Sequence, residues 1–528
     1  VSTTDRVVRS SVPVAVGTAL SRLTGMVRLA AMAYALGFNR LADSYNLANT
    51  TPNIVYELLL GGVLSATLVP IFVDYREKGD DEATSAVVSV AALALVLLTG
   101  AGLILAPAVV RLYSLRISGA TAAAQQQVAT DLLRMFMPQM LFYGITAIAT
   151  ALLNAHRRFA APAVTPVFNN LLVTAVFLAL PHVAHHPLTL ENIRQDPTAV
   201  LLLGIGTTAG VAAMALPLLP ALPRAGIHLR PVFKLRHPAV RKVVRLSGWT
   251  AGYVAVNQVA LWIVLVLANG TRGGISIYQG AYIFFQLPHG LVAVSLMTTI
   301  TPELAETVAR RDFGAFRRNF VLGVRLMTLV ILPASAGLAV LARPVVTLLL
   351  LRGALTPAEA AVTGACVALF AVGLLPFSLY LYALRGFYAL HDTRTPFVLN
   401  CWENLINVMV AAALYPWFGV QGLAFSFSVA YAVAAVMALR SLARRTDGLG
   451  VDVRTRQVLA RTTVAVVVMT IAVRLAVVAL PGRAPVLAEA VVGVLVGVAV
   501  YGAALSVMRV REVAEIVRRL RLRTGRGG

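Results

Sequence analysis

The amino-acid sequence predicts an all-α polytopic membrane protein of about 14 transmembrane helices, arranged as two six-helix lobes plus two C-terminal helices. Three observations predict it. The 528 residues are 59% hydrophobic and 13% charged, where a soluble domain carries about 25% charged residues. Apolar runs of 18 or more residues recur along the chain, each able to cross a hydrocarbon core of about 30 Å. The runs are continuous rather than alternating, so their backbones are satisfied as helices and not as barrel strands.

In order, the runs are 10–36, 43–74, 84–112, 127–154, 162–181, 199–222, 243–269, 275–302, 319–342, 358–390, 396–415, 420–440, 458–480 and 485–508. Several exceed the crossing length and are expected to tilt or protrude. The net charge of +23 would suggest nucleic acid in a soluble protein. Here the basic residues lie between the apolar runs, which makes them topology signals and removes the nucleic-acid reading. With both termini in the cytoplasm, the cytoplasmic segments hold about 31 Lys and Arg and the outer loops about 8, as the positive-inside rule requires. The expected location is the bacterial inner membrane.

The longest basic connection divides the first twelve runs into six and six. The expected organisation is an N-terminal lobe at 1–222, a cytoplasmic connection at 223–242 and a second lobe at 243–445. Two further spans at 446–508 and a basic cytoplasmic tail at 509–528 complete it, the tail suited to anionic lipid. A weak internal echo supports the two lobes. Asn154 to Phe159 followed by Pro162 closes span four, and Arg385 to Ala389 followed by Asp392 to Pro396 closes span ten. Cys366 and Cys401 both fall in apolar runs, so no disulfide framework or zinc motif is read. Ser21, Arg22 and Arg28 interrupt the first run, which therefore does not read as a cleavable signal.

Polar residues inside spans mark the chemistry. Arg22 and Arg28 lie in span one, about 120° apart on an ideal helix, with Gly25 between them as a point where the helix can bend. A guanidinium on the lipid face is costly and its fork suits a phosphate, so both are expected to line a wet cavity, the alternative being snorkelling or a carboxylate partner. Asp43 opens span two either as its N-cap or as half of a gate ion pair with a basic residue. Asn46, Asn49 and Asn53 form a polar stripe beside Pro52, with Tyr56 and Glu57 one turn on. In span eight Tyr278, Gln279, Tyr282, Gln286 and His289 surround Pro288, as cavity lining or as interhelical hydrogen bonds. In span eleven Asn400, Glu403, Asn404 and Asn407 offer oxygens at helical spacing, either for Na⁺ or H⁺ coupling or as a buried carboxyl paired with an arginine. His182, His185 and His186 read as a solvated loop rather than a metal site. No phosphate-binding loop, zinc-protease helix or kinase signature occurs, so no catalytic residue, resident metal or organic cofactor is expected.

Four blocks, in order along nearly the whole chain, carry a resemblance. They are Ser21-Arg22 through Gly25, Arg28, Gly37, Ala42-Asp43, Pro52-Asn53, Gly62, Ser65 and Val69-Pro70; Leu153-Asn154 through Arg158-Phe159, Pro162 and Pro166; Thr301 to Leu304; and Gly386 to Ala389 with Asp392 to Pro396. In these the chain resembles the MurJ (MviN) lipid II flippase family of the multidrug/oligosaccharidyl-lipid/polysaccharide exporter superfamily. The resemblance implies fourteen helices in two lobes and a cavity that alternates access. It also implies a groove on the last two helices for a polyprenyl tail, and headgroup contacts from Arg22, Arg28 and Asp43. The substrate-binding set expected on this basis and from the stripe is Arg22, Arg28, Asp43, Asn49, Asn53, Tyr56, Gln279 and Tyr282. The expected partners are lipid II or a related polyprenyl-pyrophosphate saccharide, membrane lipids and cell-wall synthesis proteins. The chain departs from the family pattern at Tyr56, at Tyr282 to Phe284 and at Gly61, where charged residues are usual. Export of another polyprenyl-linked glycan or of a drug, and a non-transporting scaffold for wall synthesis, are the competing readings. Two arginines favour a pyrophosphate over a cationic drug.

Overall fold

The computed structural model describes residues 3–58, 68–450, 452–481 and 484–510. Gly61, Gly62, Ser65, Arg483 and the basic tail beyond Val510 lie outside the described residues. Every described element is helical or a turn between helices.

The chain runs through α1 (Thr3–Leu36), α2 (Arg40–Tyr56), α3 (Val69–Lys78), α4 (Asp81–Tyr113), α5 (Gly119–Phe136), α6 (Gln139–Ala155), α7 (Ala160–Val183), α8 (Pro197–Ala215) and α9 (Ala221–Arg224). It continues through α10 (Pro238–Asn269), α11 (Gly274–Pro288), α12 (Val294–Ala309), α13 (Phe313–Leu350), α14 (Pro357–Val372) and α15 (Leu374–Ala389). The last three helices are α16 (Arg394–Arg445), α17 (Val453–Val478) and α18 (Val486–Val507). Side-chain N-caps start many of them. Asp80, Asp196, Asp312 and Asp452 each accept a hydrogen bond from the backbone N–H three residues on, satisfying a donor the helix cannot.

Ten of the described helices are long and apolar enough to cross a membrane, or eleven if α14 and α15, bent by 43° at their junction, form one span. α1 does not enter that count because its two arginines lower its hydropathy, and α2 does not because it spans 17 residues as described. α16 holds two of the expected spans and turns at Gly419, whose φ of 54° and ψ of −135° leave the helical region. The chain is thus a multi-pass membrane protein, while the number fourteen rests on the charge pattern.

Two compact units form, residues 1–276 with 352–359 and residues 277–351 with 360–528. In the first, α1 packs along α7 so closely that a Cβ on Gly17 would meet the Ala163 carbonyl oxygen at 2.7 Å. Asn170 of α7 donates to the Ser21 carbonyl at 3.0 Å and to Thr24 Oγ1 at 3.1 Å. One face of α1 is thereby committed, and the helix continues through Gly25 without a break. The basic connection is fastened to the same unit. Ser85 and Ser89 of α4 accept hydrogen bonds from Arg230 N and Val232 N at 3.2 and 2.9 Å. Lys242 reaches Asp74 at 3.1 Å, and with Lys78 it holds that carboxyl below the usual range. α10 packs on α4 and so belongs with the first unit.

In the second unit α13 is the central helix, packed by α12, α15, α17 and α18. Tyr501 of α18 donates to the Leu329 carbonyl at 2.6 Å. A Cβ on Gly493 would meet Leu341 Cδ2 at 2.5 Å, so a small residue sets the α13–α18 distance.

Candidate functional site

The first unit brings two sets of expected residues together. On α1, Arg22 is exposed and Arg28 half-buried. By helix periodicity Arg28 lies on the face of Gly17, Ser21 and Thr24 that meets α7, one turn beyond Thr24, and Arg22 lies off that face. Neither forms a hydrogen bond or ion pair among the described residues. Arg22 lies within electrostatic reach of Tyr56 and Glu57, and Arg28 of Tyr45 and Tyr143. Tyr56 and Tyr143 pack at 4.7 Å between ring centroids with their planes tilted by 45°, forming an aromatic wall within electrostatic reach of the two guanidiniums. The asparagine stripe divides by role. Asn53 turns back to the Asn49 carbonyl at 2.8 Å, and the half-buried Asn49 side chain has no hydrogen bond among the described residues. Asn46 is engaged instead with Ser276 Oγ at 3.0 Å.

Asp43 belongs to this second group, and its expected roles need correction. It is not the N-cap of α2, because Asn39 holds that position, accepting from Leu41 N at 2.8 Å and Ala42 N at 3.2 Å. Nor does it pair with a basic residue. Its fully buried carboxylate accepts from Gly273 N at 2.8 Å, and from Ser276 N and Ser276 Oγ at 3.0 Å each. It therefore caps the start of α11, where backbone N–H groups and the helix dipole favour a negative charge.

Around this cap the far end of the first unit is closed by backbone contacts. The Arg40 guanidinium donates to the Asn269 carbonyl at 2.5 Å, and Gln125 Nε2 to Asn269 Oδ1 at 2.9 Å. Asn269 Nδ2 in turn donates to the Tyr113 carbonyl at 3.0 Å. The segment 352–359 docks on the α1–α2 turn through Ala354 N to the Tyr34 carbonyl at 2.9 Å and Phe38 N to Glu359 Oε2 at 3.4 Å. Gly273 and Gly353 have φ of +73° and +62°, and a Cβ on either would overlap the Phe38 or Tyr34 carbonyl oxygen. Only glycine combines that conformation with that approach. Sequence reasoning missed Gly273, Ser276, Asn269 and Gln125. The Gly273-Gly274 pair was the one available signal, and it does not say which chain it meets.

The second unit holds the remaining expected residues. Gln279 and Tyr282 are half-buried on α11. Tyr282 Oη accepts from Gln286 Nε2 at 2.7 Å, and its ring joins a cluster with Phe285, Phe370 and Phe427. On α16, Glu403 is 2% exposed, within electrostatic reach of Tyr278, and its Oε2 has no hydrogen-bond partner. Asn404 donates to the Asn400 carbonyl at 2.9 Å. Asn407 Oδ1 accepts from Ser426 Oγ at 2.9 Å, so the stretch beyond Gly419 folds a second oxygen donor, missed in the sequence, onto this cluster. No arginine meets Glu403 among the described ion pairs. Of the loop histidines, His185 lies 3.6 Å from the Asp196 carboxylate.

The model of the MurJ family, described as "Lipid II flippase MurJ", matches residues 32–493. A probable lipid II flippase MurJ of Vibrio cholerae is 29% identical over 455 residues, covering 84% of each chain. A lipid II flippase MurJ of Burkholderia cenocepacia is 27% identical over 440 residues, covering 81% of this chain and 82% of its own. Among solved structures, a lipid II flippase MurJ in an inward closed conformation superposes with a TM-score of 0.78 at 19% identity, over 95% of this chain and 99% of that one. An inward-facing multidrug-resistance MATE family transporter of the MOP superfamily gives 0.65 at 13% identity, over 82% of this chain and 98% of that one. With the family model matching most of the chain, the protein belongs to the MurJ lipid II flippase family.

Proposed function

We propose that this chain moves lipid II, the lipid-linked peptidoglycan precursor, from the cytoplasmic to the outer leaflet of the bacterial inner membrane by alternating access. The observation that carries the reading is the pair of guanidiniums, Arg22 and Arg28, without a hydrogen bond or ion pair among the described residues, in a span that lipid would not tolerate on its own face. A pyrophosphate is the ligand such a pair suits, through bidentate charge-assisted hydrogen bonds. Asn49, Asn53 and Tyr56 carry amide and phenol groups for sugar hydroxyls in the same unit, and Gln279 and Tyr282 carry the same kinds of group in the second unit. The bound headgroup is carried without making or breaking a bond, so the chain acts as a transporter and not as an enzyme. Both termini lie in the cytoplasm on the charge asymmetry, and membrane lipids and cell-wall synthesis proteins are its partners.

Coupling is proposed at Glu403, Asn404 and Asn407. A buried carboxylate with one unpartnered oxygen, beside Asn407 Oδ1 and Ser426 Oγ, is an oxygen-rich donor set that fits Na⁺ and equally a proton on the carboxyl. Moving one charge through 100 mV supplies about 2.3 kcal/mol, enough to bias a two-state equilibrium about fiftyfold.

Depletion of the protein tests the reading. Lipid II accumulating on the cytoplasmic leaflet, relieved by the wild-type chain and not by the Arg22→Ala, Arg28→Ala double variant, is the expected result. Accumulation of a different polyprenyl-linked glycan would reassign the substrate. Full relief by the double variant would favour a scaffold.

A further inference from the structure

The proposed transport makes no use of a groove on the first unit between α5 and α8. It has a volume of about 380 Å³ and is walled by Val128, Leu132 and Met135 on one side and Val200, Leu201 and Leu203 on the other. Two charges stand in it. Asp131 projects from α5, and Arg194 from the turn that precedes α8. Both are exposed, and neither forms a hydrogen bond or ion pair among the described residues.

That combination needs an explanation. An arginine can extend its long stem to the membrane surface, but an aspartate cannot. Asp131 sits thirteen residues into a helix whose other groove-facing side chains are apolar, where an ionised carboxylate is costly unless something compensates it. Arg194 would be the compensating group, yet the two do not meet within ion-pair distance. Their vertical relation follows from the packing. A Cβ on Gly204 would overlap Met135 Sδ, so Met135 is level with Gly204. Asp131 then lies one turn nearer the Arg194 end, about level with Val200, and Arg194 about one further turn beyond, roughly 5 Å on. The groove thus offers an apolar wall, a carboxylate near its mouth and a guanidinium at its rim.

We propose that this groove is a binding site for an amine-bearing phospholipid, of the phosphatidylethanolamine class, in the leaflet on the Arg194 side. The phosphate engages the Arg194 guanidinium, and the primary ammonium folds back to donate to Asp131. One acyl chain runs along Leu132, Met135, Leu201 and Leu203. The spacing of the two charges is on the scale of the phosphate-to-ammonium separation in that headgroup. A choline headgroup has no N–H to donate, and a glycerol headgroup has no positive charge, so the site discriminates by headgroup. The site is independent of the substrate reading and does not depend on lipid II being the cargo.

The test is retention of lipid by the purified full chain, measured by native mass spectrometry after incubation in detergent with equal amounts of dioleoyl phosphatidylethanolamine, phosphatidylcholine and phosphatidylglycerol. Wild type is expected to retain the ethanolamine lipid about tenfold over either of the others. Asp131→Asn should bring it down to the choline level, and Arg194→Gln should lower all three. Leu201→Trp fills the groove without touching either charge and should lower ethanolamine retention as well. Arg134→Gln, one turn along α5 and outside the groove lining, should leave the pattern unchanged. No ethanolamine preference in wild type, or the same preference in Asp131→Asn, overturns the proposal. So does an equal loss in Arg134→Gln, which would trace the effect to the helix as a whole.

Discussion

Asp43 and Ser276 are joined twice, the carboxylate accepting from both the backbone N–H and the hydroxyl of Ser276 at 3.0 Å. These residues are 233 apart in sequence, and the bond ties the second span to the first turn of α11. A third bond from Gly273 N completes the cap. The arrangement holds the start of α11 against the second span through a buried carboxylate.

Asp43→Asn should weaken this hold. The amide keeps one acceptor, loses the charge and turns a donor toward one backbone N–H, that of Gly273 or of Ser276. A charge-assisted contact worth about 1.5–3 kcal/mol shifts an open–closed equilibrium roughly 10- to 100-fold toward open. In a background lacking Cys366 and Cys401, a cysteine placed at Asn49 should become labelled from outside by an impermeant thiol reagent. Unchanged labelling would show that the cap does not hold the closure.

Arg22→Ala and Arg28→Ala should each reduce transport by one to two orders of magnitude, from a lost contact of about 1.5–3 kcal/mol. Neither arginine has a structural partner among the described residues, so membrane insertion and thermal stability should be nearly unchanged. Arg→Lys should restore activity only in part, since lysine lacks the bidentate fork. A stability loss as large as the activity loss would mark the arginines as structural.

Gly353→Ala should destabilise the protein more than Gly79→Ala. Both glycines are left-handed, with φ of +62° and +67°, and each substitution pays about 1–2 kcal/mol for that conformation. At Gly79 nothing lies within 4 Å of the new methyl group, whereas at Gly353 it would overlap Tyr34. The overlap adds about 1–3 kcal/mol, to be read from thermal unfolding of the two variants in detergent.

Glu403→Gln keeps the side-chain shape and removes the charge and the titratable proton. Transport should lose its dependence on sodium or on pH while the protein remains folded, because the carboxylate holds no hydrogen bond among the described residues that the amide would lose. Asn407→Ala should act in the same direction by removing one oxygen and freeing Ser426. Normal transport with unchanged ion dependence in Glu403→Gln would place coupling elsewhere.

The sequence by itself determined the solvent this protein lives in, its helical class, and the side chains that no lipid-facing span would carry. These are local properties: the length and continuity of an apolar run, a charge count per loop, an arginine or carboxylate where hydrocarbon is expected. They located Arg22, Arg28, Asp43 and Glu403 before any fold was known. Only the tertiary structure decided what each of them meets. Asp43 is equally plausible as a cap of its own helix or as an ion-pair partner until α10 returns the chain and presents Gly273 and Ser276 to it. Glu403 reads either as an ion-coupling carboxylate or as half of an arginine pair. In the fold no arginine meets it among the described ion pairs, while the turn at Gly419 brings Ser426 beside Asn407. The physical reason is range. Hydropathy and helix capping act within a few residues of sequence, whereas a buried carboxylate takes its hydrogen bonds from whichever donors the packing delivers, here more than two hundred residues away.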